Sequence, residues 1–247
     1  MIHSPPRLET LPAIESRAAT GSPLAAGPEL TLRERGLLDY LVAYSEMREF
    51  TARRHLHSSD EIWLLEHPPV YTIGLGGRLE RVPPEGRIPV ERVDRGGRIT
   101  YHGPGQLIMY VLLDLGRHGL TVRGLVSALE ESVIRLLRAY GVTGIRRPGA
   151  PGVYVDSAKI AALGLRVRKG ASYHGLALNV DMDVSPFDAI DPCGYPGLKV
   201  TQTRSLGIAA GCNTLGPELA AQFVGVLRDA GSAGIRSGSA PGAGPRP

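Results

Sequence analysis

A chain of 247 residues that is 43% hydrophobic can bury a sizeable core, which excludes an intrinsically disordered polypeptide, and no apolar run is long enough to span a bilayer. The opening MIHSPPRLETLPAIESRAATGSP has neither the basic end nor the continuous apolar region of a signal peptide, so a cytoplasmic location is expected. The net charge of +4 is spread along the chain without a nucleic-acid-binding run, which favours an acidic protein partner, and two cysteines nineteen residues apart give no disulfide framework or paired metal knuckle.

Residues 1–28 are rich in Pro, Ala and Ser and read as a flexible extension. The spacing of Leu37, Leu38, Leu41, Val42 and Ser45 predicts a helix from about Thr31 to Arg54. EIWLLEHPPVYTIG reads as a strand, a break at Pro68 and Pro69, and a second extended piece, with Glu66 and His67 read as a polar strand end. Residues 77–94 read as loop and edge structure. In DRGGRITYHGPGQLIMYVLLDL, glycines 96, 97, 103 and 105 allow close approach to a bound group, and QLIMYVLLDL has the composition of a central strand. The loop matches neither the phosphate-loop nor the dinucleotide pattern, so a ligand cradle and a plain turn both stay open. Val122 to Tyr140 carry a five-turn apolar helical stripe that Gly141 ends.

GVYV, KIAALGLRV and SYHGLALNVDM then read as three successive strands, the last two joined at about Lys169 and Gly170, with Leu165 and Val167 on one face and Arg166 and Arg168 on the other. PFDAIDPCGYPG reads as a loop. A final helix is predicted from Pro217 to Asp229 with Leu219, Phe223 and Val226 inward, followed by a disordered Gly/Pro/Ser-rich tail over residues 230–247. The grouping predicts one α+β domain over residues 29–229, built on a mixed, mostly antiparallel sheet flanked by helices.

Lysine occurs only at positions 159, 169 and 199, and a buried lysine, unlike arginine, can lose its proton. Cys193 sits in an open Gly/Pro setting, whereas Cys212 has no charged residue beside it in sequence. A thiol needs a base or a cation to become thiolate, and the apolar strand that Lys159 opens suits such a base. The strand pair runs out and back, which would return the Cys193 loop toward Lys159. His102 and His174, each before a glycine, could shuttle protons or hydrogen-bond in the core; zinc on His102, His174 and Cys193 has no local ligand pair to support it. Asp181, Asp183 and Asp188 read as turn and solvent residues.

EHPPVYTIG, RGGRITYHGPGQ, APGVYV-x₃-KIAALGLRVRKGASYHGLALNVDMD and PCGYPG, in this order over Glu66 to Gly197, resemble the lipoate-pathway octanoyltransferases. The resemblance implies a fold like the biotin and lipoate protein ligases, and octanoyl transfer from octanoyl-acyl carrier protein to a lysine of lipoyl domains. It implies an acyl-thioester on Cys193 with Lys159 as its partner, without ATP, cofactor or metal. It further implies acyl-binding residues Arg95, Gly96, Gly97, Arg98, Ile99, Thr100, Tyr101 and His102, then Ala162, Leu163 and Gly164, then Gly175, Leu176 and Ala177, with His174 and Asn179 supporting. The implied acceptors are lipoyl domains of 2-oxoacid dehydrogenase complexes and the glycine cleavage H protein; a monomer that binds neither nucleic acid nor membrane is expected. LGG after TIG departs from the more polar stretch, with Arg or Lys, that the family pattern implies, and the region from residue 198 on resembles the family less. An ATP-using ligase, a non-catalytic carrier-binding protein and a cysteine hydrolase are the competing readings.

Overall fold

The computed structural model describes residues 30–77, 86, 88–191 and 197–236. In chain order it contains β1 (Leu30–Leu37), α1 (Tyr40–Arg53), β2 (Asp60–Glu66), β3 (Val70–Ile73), β4 (Val90–Arg92), β5 (Ile99–His102), β6 (Gln106–Leu112), α2 (Val122–Ala139), β7 (Val153–Val155), β8 (Ala158–Arg168), β9 (Ala171–Asn179) and α3 (Cys212–Arg236). The strands form a six-stranded sheet in the order β1-β2-β6-β9-β8-β7 and a three-stranded sheet in the order β4-β3-β5. Among the strand pairs of the described residues only β1/β2 and β3/β4 are parallel, so the expected mixed, mostly antiparallel α+β architecture is what forms.

Strand alternation explains the layering. In β6, Leu107, Met109 and Val111 join α2 and α3 in one core, while Ile108, Tyr110 and Leu112 join Ala43 and Met47 of α1 in another. A strand buried on both faces has to be central, as its composition predicts. The small sheet packs Tyr71, Ile73, Ile99 and Tyr101 against Phe187 and Ile190, which fixes the segment leading into the Cys193 loop.

Three expectations are corrected. Thr31–Leu37 is a strand beside β2 and not part of the first helix; Asp39 accepts hydrogen bonds from the Leu41 and Val42 amides and starts α1 at Tyr40. The face of α1 that turns inward carries Tyr40, Ala43 and Met47, and Leu37, Leu41 and Val42 are exposed. The last helix starts at Cys212, five residues before Pro217, because Leu215 is buried and Gly216 fits against Leu64 and Leu107. It continues to Arg236, through the first residues of the expected disordered tail. Residues 1–29, 78–85, 87, 192–196 and 237–247 lie outside the described residues, and with them the expected N-terminal extension, much of the expected 77–94 loop, the end of the tail, and Cys193. Among the described residues no helix is long and apolar enough to cross a membrane.

Candidate active site

A cavity lies on the α1 face of the large sheet, between α1, the 95–102 segment and the strands β6, β8 and β9. Its floor crosses three strands in two registered rows, Ala162–Ala177–Ile108 and Gly164–Gly175–Tyr110. The β8 and β9 positions are alanine and glycine, and this is what leaves the space open. A Cβ on Gly164 would lie 3.1 Å from Arg95 Cδ and from Gly96 O, and one on Gly175 only 2.0 Å from Met109 O. Gly175→Ala is therefore expected to pry β9 from β6 and cost about 3 kcal/mol or more. A urea midpoint equal to the parent's would refute this account of the packing.

The opposite wall comes from α1 and the 95–102 segment. Arg95, Gly97, Arg98, Ile99, Thr100 and His102 line the cavity. Gly96 lines an adjacent groove, its N–H committed to Leu165 O at 2.8 Å. Tyr101 is the exception among the expected 95–102 residues: it packs in the core of the small sheet, edge-on to Phe187 at 5.6 Å. The amides of Gly74, which ends TIG, and of Leu75 and Gly76 in the LGG that follows donate to the Arg98, Arg95 and Gly97 carbonyls and stitch β3 to the cavity loop. A Cβ on Gly74 would sit 2.6 Å from Gly97 O, so glycine is needed there. Arg95 is buried and donates to the Thr72 hydroxyl, the Thr72 carbonyl and the Gly96 carbonyl, holding the loop in shape.

His67, His102 and His174 are buried, and burial lowers the pKa of each. His67 bonds Leu38 O and the Tyr110 hydroxyl, and burial pushes its pKa down to about 4. His102 bonds Gln106 Oε1 at 2.7 Å and Thr72 Oγ1 at 3.3 Å, and burial holds it well below the usual range. Alternation alone would send His174 to the α2 face. Its left-handed backbone (φ 61) instead turns the ring onto the α1 face, stacked on Tyr44 at 5.6 Å and reaching Asp94. Such a conformation is costly for a non-glycine residue and clusters at functional sites. Burial would raise the Asp94 carboxyl, but hydrogen bonds from His174, Tyr173 and Tyr44 outweigh it and hold the group well below the usual range. Among the described residues, no group of three His, Cys, Asp or Glu could hold a metal ion.

Lys159 stands beyond the β8 side of the floor, 3% exposed, in a groove that shares Gly97, Arg98, Leu163 and Gly164 with the cavity. Its Nζ donates to Pro151 O at 2.9 Å and lies 5.1 Å from the Tyr154 ring centre. Its backbone pairs with the segment after Cys193, through Lys159 N to Lys199 O at 2.8 Å and Thr201 N to Lys159 O at 3.0 Å. The chain leaving β9 is clamped as well: the Val180 and Asp181 amides donate to Gly105 O, and Met182 N donates to Gln202 Oε1. The excursion that leaves β9 at Asn179 thus returns by residues 199–201 to the strand that carries Lys159; Cys193 lies outside the described residues.

Asn179 joins cavity to excursion. It accepts from Gln106 Nε2 and donates to Thr201 O, both at 2.9 Å, completing a chain from His102 through Gln106 to Thr201. Asn179→Ala leaves a buried donor and a carbonyl unmet, at about 1–3 kcal/mol. Hydrogen exchange is expected to speed up at Thr201 and leave the centre of α2 protected; unchanged exchange at Thr201 would contradict the link.

Cys212 does have a charged neighbour in space. Burial and the Glu66 carboxylate push its thiol up to about 12, so it stays protonated at neutral pH. Glu66 also accepts from Gly105 N at 2.6 Å, a structural role. Asp181 pairs with Arg204, and Asp183 caps the turn at Ser185. Tyr40, Ile108 and Tyr110 line the cavity without having been expected there, since only the tertiary packing of α1 on β6 brings them together.

Residues 39–220 match the family model described as the lipoyl protein ligase A/B catalytic domain. The octanoyltransferase of Dechloromonas aromatica is 56% identical over 184 residues, covering 74% of this chain and 90% of that protein. The octanoyltransferase of Nitrosomonas europaea is 54% identical over 200 residues, covering 81% and 98%. Among solved structures, a lipoate-protein ligase A bound with ATP superposes with a TM-score of 0.63 at 17% identity, covering 82% of this chain and 86% of that one. The bi-partite lipoate protein ligase of Thermoplasma acidophilum gives 0.61 at 19% identity, covering 80% and 85%. The biotin protein ligase of Aquifex aeolicus gives 0.51 at 13%, covering 81% and 70%, so the fold is that of the biotin and lipoate protein ligases. The matched segment contains the cavity, the Lys159 groove and both anchors of the excursion, and the chain belongs to the lipoyl protein ligase A/B family, among its octanoyltransferases.

Proposed function

We propose that this protein moves an octanoyl group from the pantetheine thiol of acyl carrier protein to a lysine of a lipoyl domain through a thioester on Cys193. The observation that carries this reading is the buried Lys159 in the groove that adjoins the cavity, its backbone paired to the segment that follows Cys193.

The Cys193 thiolate adds to the donor carbonyl, and the tetrahedral intermediate expels the pantetheine thiolate, which takes a proton from the Lys159 ammonium. The acyl group stays a thioester, so no ATP is needed. In the second half, the acceptor amine attacks the thioester, Lys159 takes the proton that the amine loses, and the Cys193 thiolate leaves. Amide formation draws the exchange to completion. Each methylene buried in the cavity contributes about 0.8 kcal/mol, and the protein's net positive charge of +4 suits acidic carrier and acceptor domains.

Incubation with octanoyl-acyl carrier protein without ATP is expected to give a hydroxylamine-labile mass increase on the Cys193 peptide, followed by octanoyl on an added lipoyl domain. Transfer that required ATP would favour the ligase reading, release of free octanoate would favour a hydrolase, and normal transfer by Cys193→Ser would remove the thioester.

A further inference from the structure

The Tyr40 hydroxyl is the unusual polar atom of the cavity. Tyr40 lines the cavity, is 3% exposed, and its hydroxyl has no hydrogen-bond partner among the described residues. The polar rings around it are engaged elsewhere: His67 with Leu38 O and the Tyr110 hydroxyl, His102 with Gln106 and Thr72, His174 with Asp94. A phenylalanine would stack on His102 and meet the edge of His67 equally well without burying an unmet donor. The hydroxyl is therefore a cost unless the occupant of the cavity accepts its hydrogen bond.

Its position says which part of an occupant that would be. The floor runs from β8, the strand of Lys159, through β9 to β6. The two histidine rings beside Tyr40 belong to the β6 end, His67 bonded to Tyr110 and His102 to Gln106, while its third ring neighbour, Tyr44, is the next turn of α1 and stacks on His174. An acyl chain whose carbonyl lies on the Lys159 side points its last carbons at Tyr40.

We propose that the inner end of the cavity is a hydrogen-bonding subsite in which Tyr40 recognises an oxygen acceptor at the last carbon of the acyl chain, admitting ω-hydroxylated medium-chain acyl groups beside saturated ones. This rests on the acyl-transfer reading above. The test compares octanoyl-, 8-hydroxyoctanoyl- and 5-hydroxyoctanoyl-acyl carrier protein as donors to a lipoyl domain, by intact mass, for the parent protein and Tyr40→Phe. In the parent, kcat/KM for the 8-hydroxy donor is expected within about threefold of octanoyl, with the 5-hydroxy donor about tenfold or more below; Tyr40→Phe lowers the 8-hydroxy to octanoyl ratio by about tenfold. An equal ratio in both proteins, the result if the hydroxyl holds only a trapped water, overturns the proposal. So does equal rejection of both hydroxylated donors by the parent, which decides the matter even if the variant does not fold. Absence of plain octanoyl transfer by the parent would instead remove the acyl-transfer reading, and this inference with it.

Discussion

Arginine in place of Lys159 is expected to slow octanoyl transfer by about 10²–10⁴-fold, the range that a positioned general acid-base supplies. The side chain is enclosed: it donates to Pro151 O at 2.9 Å, faces Tyr154, and a Cβ at Gly152 would lie 3.1 Å from its Cε and 3.2 Å from its Nζ. Arginine keeps the charge but cannot release a proton, so it separates electrostatic stabilisation of a thiolate from proton transfer. Lys159→Met keeps the length and removes both. The measurement is single-turnover transfer to a lipoyl domain as a function of pH, with circular dichroism to verify folding. The parent's rate should rise through a titration that the arginine variant lacks, and a normal rate in the arginine variant would exclude a proton role for Lys159.

Acidification from pH 7 to pH 4 is expected to destabilise the fold well before the carboxylates titrate. His67 is fully buried with its pKa pushed down to about 4, and burial lowers His102 and His174 as well. In the unfolded chain each returns to about 6.5. Between these values the unfolded state binds more protons than the folded one, so stability is complete above about pH 6.5 and falls as pH drops toward the folded value. His67 alone accounts for about 3 kcal/mol over that interval. Asp60 acts lower down. Burial raises its carboxyl, but His118, the Asp114 amide and Arg54 outweigh this, so its contribution is lost only as pH falls through about 4 and below. Urea midpoints taken from pH 7.5 to 4.5 should show stability falling by more than the roughly 1.4 kcal/mol per pH unit that one proton gives. A flat profile to pH 5 would contradict the burial of these rings as neutral groups.

Periodic elements with ordinary chemistry were legible in the chain. The α2 stripe, the β8/β9 hairpin turning at Lys169 and Gly170, and the central position of β6 all follow from local pattern. β1 was not, because LTLRERGL is short and runs straight into leucines that also fit a helical period; the Asp39 cap decides the boundary. The cavity loop and the alanine-glycine strands were legible through motif resemblance. Tyr40, the inverted His174 and the Glu66–Cys212 contact were not, since each depends on residues brought together only by packing between distant segments.

For the proposed acyl transfer, the two registered rows of the cavity floor bear on chain-length selectivity. Adjacent strands are about 4.8 Å apart, so β8 to β6 spans about 10 Å, close to the extended length of an eight-carbon chain. A slot laid across strands is gauged by the hydrogen-bond lattice of the sheet, which a substitution at Ile108 or Ala162 does not stretch. Shortening Ile108 would deepen the far wall by the volume removed, whereas enlarging Ala162 would block the near one. The yardstick itself is backbone, and drift in the surrounding sequence leaves it in place.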